Sequence, residues 1–249
     1  MRIRRFVYLW IEKILSKHTD KIVCISEAEK CTALREHICE DGKLCLIPNG
    51  IDITKVMKAE PVSKKSIGIG EDDYVVGMIG RLSRQKAPDV FVKAAELIQQ
   101  RISKVAFIIV GDGEEVEEIK IFGKEHGLNL VVTGWVDNPY NYLKLFDVAI
   151  LLSRWEGFGL AIAEYMAAQK PIVATRIDAI PSLIEEGKDG FLVNVDSPKE
   201  AAEKVFFIHD HPQEVRCVVE AAFRKVKQCY DIHRVAEQHQ KLFNDLTAI

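Results

Sequence analysis

The chain lacks any run of apolar residues approaching the roughly 18–20 that a membrane-crossing helix needs. It also lacks a Cys-x-x-Cys pair, although cysteines stand at positions 24, 31, 39, 45, 217 and 229. Without zinc spacing and without a secretion signal, those cysteines read as reduced and mostly buried thiols. Neither sign of charge dominates: 34 Lys and Arg against 37 Asp and Glu leave a net charge of −3, which implies no general attraction to nucleic acid. Internal repeats and low-complexity tracts are missing too. His209 and His211 could share a metal in principle, but beside Asp210 and Pro212 they read as surface residues.

What is present suffices for a proper core: 249 residues, 48% of them hydrophobic, fit one or two domains. From Tyr74 onward, strand-like and helix-like segments alternate at short intervals. The strand candidates are 75–79, 106–110, 130–133, 148–152, 172–174 and 190–193. Helical patterns fall at 89–101, 114–126, 139–146, 160–169 and 181–186. Continuous Val/Ile runs alternating with helices predict an α/β fold, a doubly wound parallel sheet covered on both faces. Ligands in such sheets bind at the carboxyl ends of the strands, where the glycine turns at Gly80, Gly111-Asp112-Gly113, Gly134 and Gly157 fall.

A smaller α/β unit precedes this one, with helices over 3–17 and 27–36 and strands over 21–25 and 44–47. Two strands are too few for an independent sheet, so residues 1–54 read as part of a domain. Residues 55–70 are polar and read as a linker, and 71–229 as the main domain. The last helix, in 230–249, is expected to pack back on the first unit. Arg2, Arg4 and Arg5 open an amphipathic first helix, a pattern compatible with an anionic membrane surface. Packing on its own domain is the simpler reading.

The segment Ser153–Ala168 is the most informative. It leaves an apolar strand, passes Gly157 and Gly159, and enters an almost wholly apolar helix that carries one acid, Glu164. A lone ionised carboxylate buried there would cost several kcal/mol, so something polar should meet it. The glycines also let a ligand approach backbone N–H groups at the helix N-terminus, a ready anion site. An anion with hydroxyls nearby describes a nucleotide diphosphate and its ribose.

These residues, together with Ile47-Pro48-Asn49-Gly50-Ile51-Asp52, Gly80-Arg81-Leu82 with Lys86, Val110-Gly111-Asp112-Gly113 and Gly134-Trp135-Val136, resemble glycosyltransferase family 4, the glycosyl transferases group 1 of GT-B fold. The resemblance runs from about Thr19 to Phe243 and covers the C-terminal, Rossmann-like donor-binding domain. Residues 1–54 then correspond to a remnant of the N-terminal domain. It implies that Arg81 and Lys86 neutralise the leaving diphosphate in place of a metal ion. Glu164 would clamp the ribose, and Glu156 would lie near the donor sugar and the reacting bond. Backbone N–H groups of Phe158, Gly159 and Leu160, beside Gly157, would hold phosphate oxygens; Gly80 opens the cationic loop. Trp135 and Val136 would line the base pocket, with Trp135 equally readable as core. Catalytic candidates are therefore Glu156, Arg81 and Lys86, with no metal and no cofactor expected.

The implied reaction is retaining, metal-independent transfer of a sugar from a nucleoside-diphosphate sugar to a glycan or lipid-linked acceptor. No Asp-x-Asp triplet occurs, which agrees with it. Polysaccharide assembly in the cytoplasm, at or near the inner membrane face, is the implied setting. The chain departs from the family at Asp178-Ala179-Ile180-Pro181-Ser182, where Gly-Gly-x-x-Glu is common. With most of the N-terminal domain absent, the exposed edge of strand 21–25 and the apolar faces of the first and last helices predict self-association or a separate N-terminal-half partner. A non-catalytic nucleotide-sugar-binding module and a GT-B epimerase are the alternatives. An NAD-dependent fold is set aside, since Val116 occupies the place of the third glycine.

Overall fold

The computed structural model describes residues 2–248, with side chains from Phe6 to Ala248. The side chains of Arg2, Arg4 and Arg5 lie outside the described residues. Helix α1 (Arg2–Leu15) leads to strand β1 (Ile22–Cys24), helix α2 (Glu27–Arg35) and strand β2 (Leu44–Leu46). Strands β1 and β2 pair in parallel, Ile22 against Leu44 and Cys24 against Leu46. Ser26 caps α2 by accepting from the Glu29 N–H, while the Glu29 carboxylate accepts from the Ile25 N–H. Among the described residues this sheet has two strands.

The stretch 55–70 is not free of the core, as its polar composition suggested. It begins within the short helix α3 (Ile53–Met57) and includes a 3₁₀ turn over Lys64–Ile67. Val56 and Ile69 are buried in the main core cluster and Ile67 packs against it, so apolar residues anchor a segment rich in Lys and Ser.

The main sheet holds β3 (Tyr74–Ile79), β4 (Val105–Val110), β5 (Leu130–Val132), β6 (Val148–Leu151), β7 (Ile172–Thr175) and β8 (Phe191–Val193). All pair in parallel, in the order β5-β4-β3-β6-β7-β8. Helices α4 (Pro88–Gln99), α5 (Val116–Glu125), α6 (Tyr140–Leu143), α7 (Leu160–Ala167), α8 (Ile180–Leu183), α9 (Pro198–Asp210), α10 (Pro212–Cys229) and α11 (Ile232–Thr247) complete the chain. Val76, Met78, Phe107 and Ile109 pack under α4 and α9, whereas Val75, Ile108, Ala149 and Leu151 pack against α7 and the end of α10. That two-sided burial is why the strands read as continuous apolar runs.

Helices α9 and α10 have no counterpart in the periodicity analysis. Their buried stripes (Ala201, Ala202, Val205 and Ile208; Val215, Ala222 and Val226) mix small and large apolar residues, and Pro198 and Pro212 at their first positions mark both starts. The cysteines are free but not mostly buried: Cys24 alone is, and Cys31, Cys217 and Cys229 are exposed on helix faces or ends. At the start of α11 the chain returns to the segment after β2: the Ile51 N–H donates to Tyr230 O at 2.8 Å, and the Ile232 N–H to Ile51 O at 3.0 Å. A Cβ at Gly50 would sit 2.8 Å from Ile232 Cα, so glycine there permits that approach. No helix among the described residues is long and apolar enough to cross a membrane.

Candidate functional site

The strand order reverses between β3 and β6, and that is where open parallel sheets leave a crevice. β3 pairs with β4 along its whole length, but with β6 only at Val76 and Gly77. Beyond that point the Tyr165 hydroxyl accepts from the Ile79 N–H at 2.7 Å. Burial raises the Tyr165 hydroxyl well above the ordinary tyrosine range, so it stays protonated.

Across this crevice the loop after β3 faces the loop after β6. Lys86 Nζ lies 2.5 Å from Glu156 Oε2, with side chains 19% and 10% exposed. The buried Ser153 hydroxyl donates to the same Oε2 at 3.1 Å, and the Glu156 N–H donates to Asp178 Oδ2 at 3.0 Å. Asp178 has φ +45°, a left-handed conformation that favours glycine and that Asp tolerates. The departure noted in the sequence therefore sits where the backbone explains the commoner glycine.

Glu164 has the partner its surroundings demand. Tyr140 Oη donates to Glu164 Oε1 at 2.9 Å, from a helix that periodicity placed but whose tyrosine it did not single out. Burial holds the Glu164 carboxyl above the usual carboxylate range; the Tyr140 hydrogen bond and the charges of Lys86 and Lys55 oppose that shift. Tyr140 is itself pushed up by burial and by the Glu164 charge.

A cavity of about 690 Å³ opens at the ends of β3, β4 and β5, lined among others by Gly80, Arg81, Asp112, Trp135, Val136 and Pro139. Trp135 is 75% exposed, which removes its reading as core. Arg81 is 73% exposed and reaches Glu114 at 3.2 Å, not the Lys86–Glu156 pair. The Gly111-Asp112-Gly113 turn locks the loop after β3: the Leu82 N–H donates to Asp112 O at 3.0 Å, and a Cβ at Gly113 would lie 2.2 Å from Leu82 O. These glycines thus serve backbone packing. Phe158 is buried, its ring 5.5 Å from that of Tyr230, which leaves only its backbone for a ligand. Gly159 caps α7 at φ +94°, and Gly157 and Leu160 are exposed beside it. The first-turn N–H groups of α7 are those a helix leaves without internal acceptors.

The structure therefore brings together Lys86 with Glu156, and Gly80, Arg81, Trp135 and Val136 around one cavity. Glu164 joins them through Tyr140, the neighbour of Pro139. Sequence reasoning missed Tyr140, Ser153 and the Asp178 carboxylate. A tyrosine beside the prolyl turn after β5 was the available signal for the first.

A doubly wound parallel sheet with charged loops converging on its switch point is the architecture of open α/β domains that take a ligand in that crevice. The chain belongs to the family of glycosyl transferases group 1, whose pattern matches residues 60–224. It is 32% identical over 201 residues to the Escherichia coli UDP-Gal:alpha-D-GlcNAc-diphosphoundecaprenol alpha-1,3-galactosyltransferase, covering 77% of this chain and 52% of that one. It shares its fold with Anabaena Alr3699/HepE in complex with UDP and glucose (TM-score 0.81, 22% identity, 90% of this chain and 63% of that). The C-terminal domain of a group 1 family protein (LpcC) from Francisella tularensis is matched over 100% of its length and 74% of this chain, with TM-score 0.65 and 22% identity. The chain thus spans about half the length of the Escherichia coli relative.

Proposed function

We propose that this chain is the donor-binding half of a retaining, metal-independent glycosyltransferase acting on a UDP-sugar. The observation that carries the reading is the Lys86–Glu156 contact across the switch point, between a cavity rimmed by Arg81 and Trp135 and the carboxylate of Glu164. A diphosphate brings two or three negative charges, whereas a helix N-terminus supplies about half a positive one. Lys86 and Arg81 make up the difference, Arg81 by leaving its exposed contact with Glu114. Backbone N–H groups at Phe158, Gly159 and Leu160 take phosphate oxygens. Glu164 accepts from the ribose hydroxyls, and Trp135 with Val136 borders the base.

In the transfer step the C1–O bond to the diphosphate breaks. A bond from C1 to the acceptor oxygen forms on the same face, and the acceptor proton passes to the departing phosphate oxygen. Glu156, held by Lys86 and Ser153, faces the positive charge developing on the sugar. The acceptor is a glycan or a lipid-linked glycan, as the name of the Escherichia coli relative suggests, with the reaction on the cytoplasmic side of a membrane. The division into 1–54, 55–70, 71–229 and 230–249 is likewise our proposal, and the first unit offers the docking face for an N-terminal half or for a second copy.

Calorimetric titration of the purified chain with UDP, GDP and ADP tests the reading. Saturable UDP binding, lost in Arg81→Ala and in Glu164→Ala, is expected. Absence of binding to any of the three overturns it.

A further inference from the structure

The loops that bring Lys86 and Glu156 together are tied to each other by one residue that touches neither the cavity nor that pair. Arg154 precedes Glu156 by two positions, and its guanidinium is spread over three separate segments. Its Nη1 donates to Arg84 O at 3.0 Å in the loop after β3. Its Nη2 donates to Asp89 Oδ2 at 2.8 Å in the first turn of α4. Its Nε donates to Asp196 Oδ1 at 2.7 Å, in the turn after β8. Gln85 adds two stitches: its carbonyl accepts from the Arg154 N–H at 2.8 Å, and its side-chain Nε2 donates to Trp155 O at 3.1 Å.

The partners confirm that the arrangement is built around a guanidinium. The Arg154 side chain is 20% exposed and Asp89 29%, so the ion pair is shielded beyond what surface pairs reach. Burial pushes the Asp89 carboxyl up, but the hydrogen bond and charge of Arg154 outweigh it and hold the group below its ordinary value. Asp89 Oδ1 has no hydrogen-bond partner and is buried, so the carboxylate is held through Oδ2, by Arg154 at 2.8 Å and by the more distant Lys93 at 3.8 Å. Asp196 stands at φ +56°, a left-handed conformation that a non-glycine residue adopts at a cost. The planar guanidinium spreads its donors over three nitrogens and so reaches three separated acceptors, which the single nitrogen of a lysine ammonium does not.

We propose that Arg154 is a positioning residue: it clamps the loops after β3, β6 and β8 from behind, so that Lys86 and Glu156 are preorganised for the diphosphate and the reacting sugar. This inference rests on the donor-site reading above. It assigns Arg154 no contact with the donor. Its removal should loosen both loops while leaving the sheet intact, and the ligand should then bear the ordering cost that the clamp has removed.

The test uses the full chain with Arg154→Ala and Arg154→Lys, read by hydrogen-exchange mass spectrometry and by UDP calorimetry. Expected are faster exchange confined to residues 81–87 and 153–160 and UDP affinity lower by about tenfold or more, which corresponds to about 1.4 kcal/mol. Lysine should fail to rescue either effect. Unchanged exchange in those loops, unchanged UDP affinity, or full rescue by lysine would each overturn the clamp. Should Arg154→Ala not fold, Asp196→Ala removes one arm at an exposed partner and should show the same pattern at smaller amplitude. If the unmodified chain binds no UDP, the functional reading fails, and loop exchange alone decides the clamp.

Discussion

Lys86 Nζ and Glu156 Oε2 lie 2.5 Å apart although 70 residues separate them in the chain, one on each side of the sheet's switch point. The pair is largely shielded, and Ser153 donates to the same carboxylate oxygen. A charge-assisted bond of this kind contributes about 1.5–3 kcal/mol. Lys86→Met should therefore weaken UDP binding roughly tenfold to a hundredfold, since each 1.4 kcal/mol is a factor of ten. Glu156→Gln keeps the geometry and frees Lys86 for phosphate, so its UDP affinity should equal or exceed that of the parent while sugar transfer falls. Calorimetry and a transfer assay on the two variants check this; a parallel loss of binding in both would count against the separate roles.

Glu164 predicts a trade between stability and binding. Its folded-state carboxyl titrates above the ordinary value because burial outweighs the Tyr140 hydrogen bond and the charges of Lys86 and Lys55. The folded state thus holds its proton more tightly than the unfolded one. The associated stability is present below the ordinary Glu value and is lost as pH rises through the raised one. Glu164→Gln removes that slope. Thermal melts between about pH 4 and 7 should show the variant as stable as the parent or more so at neutral pH, while UDP binding is lost. A variant destabilised at pH 7 with binding intact would contradict the ribose assignment.

Much of this fold was legible because its strands are buried on both faces. The run Val105–Val110 has no polar residue, and its six positions are all buried. Glu164 was legible for the opposite reason, as a single acid in an apolar helix. Tyr140 was not: its role depends on α6 and α7 meeting, and nothing within a few residues of it encodes that approach. Val56 and Ile69 were hidden in a stretch rich in Lys and Ser, whose apolar residues fall at no helical or strand period. The Gly111–Gly113 turn read as one of the strand-end glycine turns where ligands bind, but its glycines admit the Gly80 and Leu82 carbonyls.

Lys170 gives a second pH signature of opposite sign. Its ammonium donates to Lys144 O at 2.9 Å from a partly buried position, and desolvation lowers it to about 8. The unfolded chain binds this proton more tightly, so stability should rise as pH climbs from about 8 toward the ordinary lysine value. The difference amounts to about 3 kcal/mol at most. Lys170→Met should flatten this limb. Denaturant titrations at pH 7.5, 9 and 10 measure it, and an unchanged slope in the variant would refute the assignment.

The first unit leaves a large apolar surface in water. Phe6, Tyr8, Trp10 and Leu15 of α1 are exposed, as is Phe243 of α11, beside a groove of about 660 Å³ lined by Val23, Ile25 and Ile47. Exposed large apolar side chains gathered on one helix mark contacts. Light scattering at micromolar concentration should therefore report self-association, reduced by Trp10→Glu. A monodisperse monomer would count against the docking proposal.

Two glycines separate what the fold needs from what a ligand needs. A Cβ on Gly113 would lie 2.2 Å from Leu82 O and 2.8 Å from Leu82 N, both backbone atoms that cannot swing aside. Gly113→Ala should cost about 2 kcal/mol or more and displace the loop that carries Arg81. Gly157 differs: a Cβ there meets nothing within 4 Å, and its φ is not among the positive ones. The protein alone gives no reason for glycine at 157, whereas a phosphate approaching the N-terminus of α7 does. Gly157→Ala should melt within about 0.5 kcal/mol of the parent, as an open surface substitution does, yet bind UDP more weakly. A Gly157→Ala variant with undiminished UDP affinity would remove the phosphate from that helix end, even if Lys86 and Arg81 kept their roles.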